Sequence, residues 1–389
     1  MANKEWKSVH LTNYYHKNSG GISTSYNNLL AAAEKRRKHI RLIVPGEKED
    51  AEWVNSFARI YYIPAPQSPI FDKRYRIILP WQYMQPASLI RKIIIEEKPD
   101  FIEVTDKYTI SMMGAMIRRG KFRQAGRPAL IHFSCERMDD NVESFIGSKK
   151  LGRFLSRNIV GNYLLPSFDY HIANSSYTAE EFYQALKERK DGSKPSFLAR
   201  KSDVFFRNPQ IDLKDRIFVC PRGVDTTRFT PDKRSSQVRK SLLDRCKADD
   251  GAVLLLYSGR ISPEKNIPLL IETFRKLIRE KKGNYYLFVA GDGPLKEKFE
   301  KENLESLQQK VYFLGHLDKE TLAQTLANVD IFIHPNPKEP FGIAPLEAMA
   351  SGIPVVAPNS GGILSYANSE NAWLVEPFAE KFVAAIEEI

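Results

Sequence analysis

Two glutamates and two cations in the second half of this chain stand where they could handle a charged, hydroxyl-rich ligand. In EPFGIAPLEAMASG (339–352), Glu339 and Glu347 are separated by seven residues, with Gly342 between them. The residues from Ile343 onward predict a helix, which would place Glu347 about one turn inside it, beside the first amides. Carboxylates accept hydrogen bonds from hydroxyls and helix-start amides attract anions. The pair therefore suits a ligand carrying both hydroxyls and phosphate, such as a sugar nucleotide. In SGRISPEKN (258–266), an apolar strand runs into Gly259, Arg260 follows, and Lys265 precedes a helical pattern. A guanidinium fork and an ammonium point charge at one edge could grip a diphosphate. Gly20 and Gly21 lie between a short β-rich run and a helical stretch, where amides attract phosphate and glycine lets it come close. Alone, such a glycine pair is more often only a turn.

Alternating strands and helices must position these residues. SVHLT, HIRLIVPG, ARIYYIP, DFIEV, ALIHF and YHIANS are short apolar runs ended by turn residues, with helical patterns such as SYTAEEFYQALKER between them. A second series begins near Gly251, with VLLLYSG, YYLFVAG, VYFLG, DIFIHP and PVVAP as strands. We therefore expect an α/β chain of two Rossmann-like, doubly wound domains facing across a cleft, with ligands outside the carboxyl ends of strands. The expected boundaries are a first domain at 1–220, a hinge and linker at 221–250, and a second domain at 251–375. A helical tail follows at 376–389, whose pattern runs to the last residue without a C-cap signal, so we expect a truncated tail and loosely coupled domains.

Composition narrows the class. The 389 residues suffice for two domains, and 42% hydrophobic with 27% charged residues is the balance of a folded chain. Three scattered cysteines describe neither a disulfide framework nor a zinc cluster, which favours a reducing, cytoplasmic setting. No run of about 18 apolar residues exists to cross a membrane. The net charge of +11 is uneven: 36 basic and 24 acidic residues through Cys220 make +12, and 22 against 23 thereafter make −1. An anionic partner for the first half follows, whether a membrane surface, nucleic acid or a phosphorylated substrate. In KKLGRFLSRNIVGNYLLPSF, Leu151, Phe154, Leu155, Ile159 and Leu165 share one side of a helical wheel, with Lys149, Lys150, Arg153 and Arg157 on the other. Such a helix could lie on an anionic bilayer from the cytoplasmic side, or bury its apolar face in the core. Residues 186–215 are basic and bear aromatics; a solvated insertion is expected there, and nucleic acid is not expected as a partner.

RGVDTTRF, SGRISPEKN, VAGDGP, FLGH and EPFGIAPLEAMASGIPVVA, in this order, resemble the family 4 retaining glycosyltransferases of GT-B fold. The resemblance covers almost the whole chain, is most specific across 221–375, and is looser before residue 220, where GGIS and HIANSSYTAEEF match. It implies transfer of a sugar from a nucleotide-sugar, UDP- or GDP-linked, to an acceptor hydroxyl with retained configuration and without metal or other cofactor. No Asp-x-Asp triplet occurs in the chain, which fits the metal-free branch. By position, Arg260 and Lys265 would bind the diphosphate, with Gly259 at the start of their loop. Glu347 would hold the ribose, and Glu339 the transferred sugar with the amides of Phe341, Gly342 and Ile343. Gly21, with Gly20, would approach the phosphate, and the base would lie near Gly315. On the acceptor side, the family's usual histidine position falls on Ser134, with His132 two residues earlier; Glu136, Arg137 and Asp139 follow. Arg222 stands where asparagine is usual, and Ser365-Tyr366 where many relatives carry glutamate. The rival readings are a non-catalytic basic protein that binds nucleotide-sugar or nucleic acid, and a GT-B sugar-nucleotide epimerase.

Overall fold

A computed structural model describes residues 5–16, 20–68, 76–145, 149–207, 212–280 and 283–389. The chain divides into two compact units, Met1–Pro221 and Arg222–Ile389.

The first unit carries strands β1 (Lys7–Leu11), β2 (His39–Gly46), β3 (Asp50–Trp53), β4 (Ala58–Pro64), β5 (Phe101–Val104), β6 (Ala129–Ser134), β7 (Tyr170–Ala173), β8 (Lys190–Asp191), β9 (Lys194–Pro195) and β10 (Ile217–Val219). Eight of them make one sheet in the order β10-β7-β6-β5-β1-β2-β4-β3, while β8 and β9 pair only with each other. Every neighbour in the sheet is parallel except β3 on β4. Helices cover both faces, so a strand such as β2 carries the unbroken apolar run Leu42–Val44 instead of alternating, and its buried Arg41 is paired with Glu97. One face packs against Ile94, Met113, Phe168 and Phe182, the other against Tyr26, Leu30 and Ala33. The strand order reverses at β1, so the loops after β1 and β5 open at the switch point.

The second unit holds β11 (Val253–Ser258), β12 (Tyr285–Ala290), β13 (Val311–Gly315), β14 (Ile331–Ile333), β15 (Val355–Pro358) and β16 (Trp373–Val375). They form an all-parallel sheet ordered β13-β12-β11-β14-β15-β16, with the reversal between β11 and β14. The segment 258–266 follows β11 and the segment 334–342 follows β14, so both lie at this switch point. Residues 222–250 are not a bare linker: the helix Ser236–Cys246 buries Leu242, Leu243 and Cys246 in the second unit's core. The helix Ala379–Glu388 packs on the helix Ile267–Glu280 and buries Phe382, Val383 and Ile386.

The insertion 186–215 contains the β8–β9 hairpin and a helix, Phe197–Phe205. One expectation in the first unit needs correction. Leu165 does not extend the apolar stripe of the helix Lys149–Ile159. A π-helical turn, Val160–Leu164, follows that helix and widens the winding, which rotates Leu165 into the core. No helix among the described residues is long and apolar enough to cross a membrane.

Candidate active site

At the switch point of the second unit, β11 delivers Gly259 and Arg260, and β14 delivers His334 and the loop to Gly342. The Tyr257 hydroxyl donates to the Arg260 carbonyl at 2.8 Å and holds the arginine's backbone. The glycines of VAGDGP lie against this turn: a Cβ on Gly291 would stand 1.9 Å from the Gly259 carbonyl oxygen. Only glycine permits that approach. The Gly315 carbonyl in turn accepts from the Gly291 amide at 2.7 Å, which ties the end of β13 to the same layer.

Lys265 closes a short 3₁₀ turn, and its ammonium donates to Glu339 Oε2 at 2.7 Å. Asn336 Nδ2 donates to the same oxygen at 3.1 Å. Burial opposes ionisation of Glu339, but Lys265, the neighbouring His334 and Asn336 outweigh it and hold the carboxyl down to about 2. It is a carboxylate at neutral pH. His334 is buried, which pushes its imidazole down to about 4, and its Nε2 makes no hydrogen bond among the described residues. Asn266 Nδ2 donates to the Pro335 carbonyl at 3.0 Å and pins the β11 loop to the β14 loop.

The helix Ile343–Ala350 starts where the sequence predicts. Its N-cap is Gly342, at φ 84°, with no side chain to occupy the first amides, which leaves them available to an anion. The Tyr366 hydroxyl donates to the Gly342 carbonyl, and its ring meets Phe341 edge-on at 5.2 Å. Tyr366, at a departure from the family pattern, thus braces the turn that presents those amides. Glu347, 1% exposed, lies one turn further on. Its Oε1 accepts from Lys319 Nζ at 2.7 Å. Burial pushes the Glu347 carboxyl up, while Lys319 and then Arg228 pull against that.

In the first unit, Gly20 and Gly21 open the helix Gly21–Arg36 after β1. Glu136, after β6, accepts from the Tyr14 hydroxyl at 2.6 Å and from Asn141 Nδ2 at 2.9 Å. Burial pushes this carboxyl up. Asp106, after β5, accepts from the Ile110 amide at 2.6 Å and from Asn13 Nδ2 at 3.2 Å. Tyr14, Asp106 and Glu136 therefore gather at the ends of β1, β5 and β6, around the switch point.

The other acceptor-side residues are placed differently. His132 does not reach a site: it is fully buried between Phe168, Phe182 and His171, with neither ring nitrogen hydrogen-bonded among the described residues. Its side of β6 packs under the helix Ser176–Glu188, which carries Phe182. Ser134 is also fully buried, and its hydroxyl donates to the Glu136 carbonyl. Arg137 clamps buried Asp139 with two hydrogen bonds of 2.9 and 2.8 Å, and Arg157 adds to that carboxylate. These two residues hold structure together instead of facing a ligand. Arg222 is half-buried at the start of the second unit. Sequence reasoning missed Tyr14, Asp106, Lys319, His334 and Asn336: Tyr14 and Lys319 meet partners far away in the chain, and no motif marks the short Asn336–Glu339 contact. Only a strand-end position marked Tyr14, Asp106 and His334.

Residues 239–389 match the family model for glycosyl transferases group 1. A GDP-mannose-dependent alpha-mannosyltransferase of Corynebacterium glutamicum is 35% identical over 376 residues, 95% of this chain and 77% of that protein. A GDP-mannose-dependent alpha-(1-6)-phosphatidylinositol dimannoside mannosyltransferase of Mycobacterium tuberculosis is 24% identical over 98% of this chain and 87% of its own. Among solved structures, Anabaena HepE in complex with UDP and glucose superposes with a TM-score of 0.64 at 17% identity, covering 99% of this chain and 89% of that one. The catalytic domain of Arabidopsis thaliana starch synthase IV gives 0.68 at 13% identity, with 99% and 91% covered.

Proposed function

The chain belongs to the group 1 glycosyltransferases, of GT-B type, and from that premise we propose that it transfers mannose from GDP-mannose to a hydroxyl of a lipid-borne acceptor, with retention at the anomeric carbon. The observation that carries the donor is the Corynebacterium glutamicum relative, which matches nearly the whole chain and is named GDP-mannose-dependent. A lipid acceptor has its support in the phosphatidylinositol dimannoside mannosyltransferase and in an alpha-monoglucosyldiacylglycerol synthase of Streptococcus pneumoniae, 25% identical over 89% of this chain. Membership also removes the rivals: the chain is a transferase, not an idle binding protein or an epimerase.

In this reading Arg260 and Lys265 take up the charge that develops on the departing diphosphate, and the open amides from Phe341 to Ile343 add their dipoles. Preorganised cations and amides cost no reorganisation at the moment of bond breaking, so they favour the transition state over the ground state. Glu339 receives hydroxyls of the transferred sugar and Glu347 those of the ribose. The acceptor hydroxyl loses its proton to the donor's own phosphate, so no protein base is required. Glu136 and Tyr14 orient the acceptor. In this reading no metal takes part: Arg260 and Lys265 would supply the positive charge, and the lack of an Asp-x-Asp triplet supports it. The acceptor is met at an anionic membrane surface, a reading supported by the exposed apolar residues Leu151, Phe154, Leu155 and Ile159 beside Lys150 and Arg153.

The test supplies GDP-mannose, UDP-glucose and UDP-galactose with phosphatidylinositol-containing vesicles, and follows nucleotide release and labelled lipid. Mannolipid of retained configuration, formed equally well with a chelator present, is expected. Product from a UDP-sugar alone overturns the donor, an inverted product overturns retention, and a strict need for divalent metal overturns the metal-free chemistry.

A further inference from the structure

Two helices of the first unit are seated in an unusual way. Globular helices bury their large apolar side chains and expose small or polar ones. The helix Lys149–Ile159 does the reverse: Gly152 and Ser156 are buried, with Val160 and Gly161 just beyond, while Leu151, Phe154, Leu155 and Ile159 face out. Close seating explains the small residues. A Cβ on Gly161 would stand 2.8 Å from the Ala185 carbonyl of the helix Ser176–Glu188.

The helix Phe197–Phe205 repeats the arrangement. Ala199 and Ser202 are its buried residues, whereas Phe197, Leu198, Val204 and Phe205 are exposed, Val204 at 79% and Phe197 at 64%. A solvated insertion would put polar residues there. Instead, cations stand beside the rings: Arg119 lies over Phe205 at 4.5 Å and Lys201 over Phe197 at 5.5 Å. Between residues 187 and 207 there are seven Lys and Arg against three Asp and Glu; buried Arg189 pairs with Asp203 at 2.6 Å, which leaves six against two.

The two helices adjoin. The Ser202 hydroxyl donates to the Asn162 carbonyl at 2.6 Å, and Tyr163 meets Phe206 edge-on at 5.7 Å. The second helix therefore packs just beyond the C-terminal end of the first. We propose that the insertion helix Phe197–Phe205 is a second membrane-docking element, which joins the helix Lys149–Ile159 in a composite apolar and basic surface seated on an anionic lipid bilayer. This inference rests on the membrane-surface reading above and adds the insertion to it. Charge complementarity selects the occupant: apolar side chains enter the acyl boundary while the long Lys and Arg side chains reach back to the phosphates. Two separate elements also answer the weakness of a single short anchor, because the second contact forms at high effective concentration once the first is made.

The experiment measures cosedimentation of the full chain with vesicles of phosphatidylcholine alone and of phosphatidylcholine with phosphatidylglycerol. The variants are Phe197→Ser/Leu198→Ser and, separately, Leu151→Ser/Leu155→Ser. All substituted side chains are exposed and distant in sequence from the donor loops. Unchanged thermal midpoint and unchanged GDP binding verify that the variants fold. The wild type should bind only the anionic vesicles, and each double variant should bind them at least tenfold more weakly. A Phe197→Trp variant should shift its emission to the blue on anionic vesicles. Binding by the wild type with no loss in Phe197→Ser/Leu198→Ser and no blue shift overturns this inference while leaving the membrane reading intact. No binding by the wild type to either vesicle overturns both. Concentration-dependent dimerisation that Phe197→Ser/Leu198→Ser abolishes, with vesicle binding unchanged, assigns the patch to a second copy of the chain and likewise overturns the proposal.

Discussion

In the proposed mechanism Lys265 and Arg260 serve the same reaction step, but they differ in what surrounds them, so their removal should read out differently. Arg260 is part-exposed and lies 3.9 Å from Glu264 in the same loop. Arg260→Ala should slow turnover about ten- to a hundredfold with little change in the melting temperature. Lys265→Ala should cost a similar factor and also about 1–3 kcal/mol of stability, because the Glu339 carboxylate is left without its cation. Lys265→Met/Glu339→Gln should regain most of that stability and none of the rate. Wild-type turnover in Arg260→Ala would remove it from the mechanism. Lys319 permits a sharper test. It is the main cation that opposes the burial of Glu347, so Lys319→Met should push that carboxyl further up. A raised carboxyl is charged only above its new pKa. The donor KM of Lys319→Met should therefore rise most at low pH and recover as pH increases, while Lys319→Arg behaves as wild type. A pH-independent KM in Lys319→Met would show that the pair is merely structural. Glu347, Gly342 and Lys265 were legible in the sequence because local chemistry marks a helix start and its first turn. Lys319 was not, since its partner lies 28 residues further along and no spacing rule connects them.

At the scale of elements, strand alternation and helix starts were readable, but facing was not. β6 displays His132 and Ser134 on one side, and periodicity cannot tell a helix-covered side from an open one. The π-helical turn Val160–Leu164 leaves no periodic trace either, which is why Leu165 was assigned to the wrong stripe. The helix Phe197–Phe205 was hidden because its charges dominate the composition of its segment. The burial of His132 against His171 has its own consequence. Burial holds His132 well below its ordinary range and pushes His171 down to about 4, with His171, Lys107, Arg216 and Arg118 adding to one or the other. Both rings are neutral in the fold and protonate once unfolded, so the unfolded state binds more protons below about pH 6.5. Stability of the first unit should thus be constant above neutrality and fall as pH drops towards 4, by up to about 1.4 kcal/mol per pH unit for each histidine. Denaturant melts at pH 7, 6 and 5 should show this slope, and His132→Leu should roughly halve it. An unaltered slope in His132→Leu would mean that other groups govern acid unfolding.

At the scale of the whole molecule, two different boundaries fall at one place. The fold divides between Pro221 and Arg222, and the charge excess ends at the same point, with +12 through Cys220 and −1 beyond. Both the division into two α/β units and the charge contrast are legible in the sequence, because alternation and composition are properties of long stretches. The segment 222–250 was less legible, since Pro231 and its polar neighbours read as a break while the helix that follows joins the second core. This coincidence of boundaries makes the molecule severable in a genealogical sense. Arg260, Lys265, Glu339 and Glu347 all lie beyond the junction, and both exposed helices lie before it, so exchange of one half by recombination keeps each of these two sets whole. A chimera that keeps residues 1–221 and takes the remainder from a relative with another nucleotide preference should inherit its donor from the new half and its lipid surface from the old. Vesicle binding together with donor turnover would measure that inheritance directly, and a chimera that takes its lipid preference from the new half would refute it. Lineages carrying such a chain could then acquire a new donor in one recombination event, with no change to where in the cell the product is made.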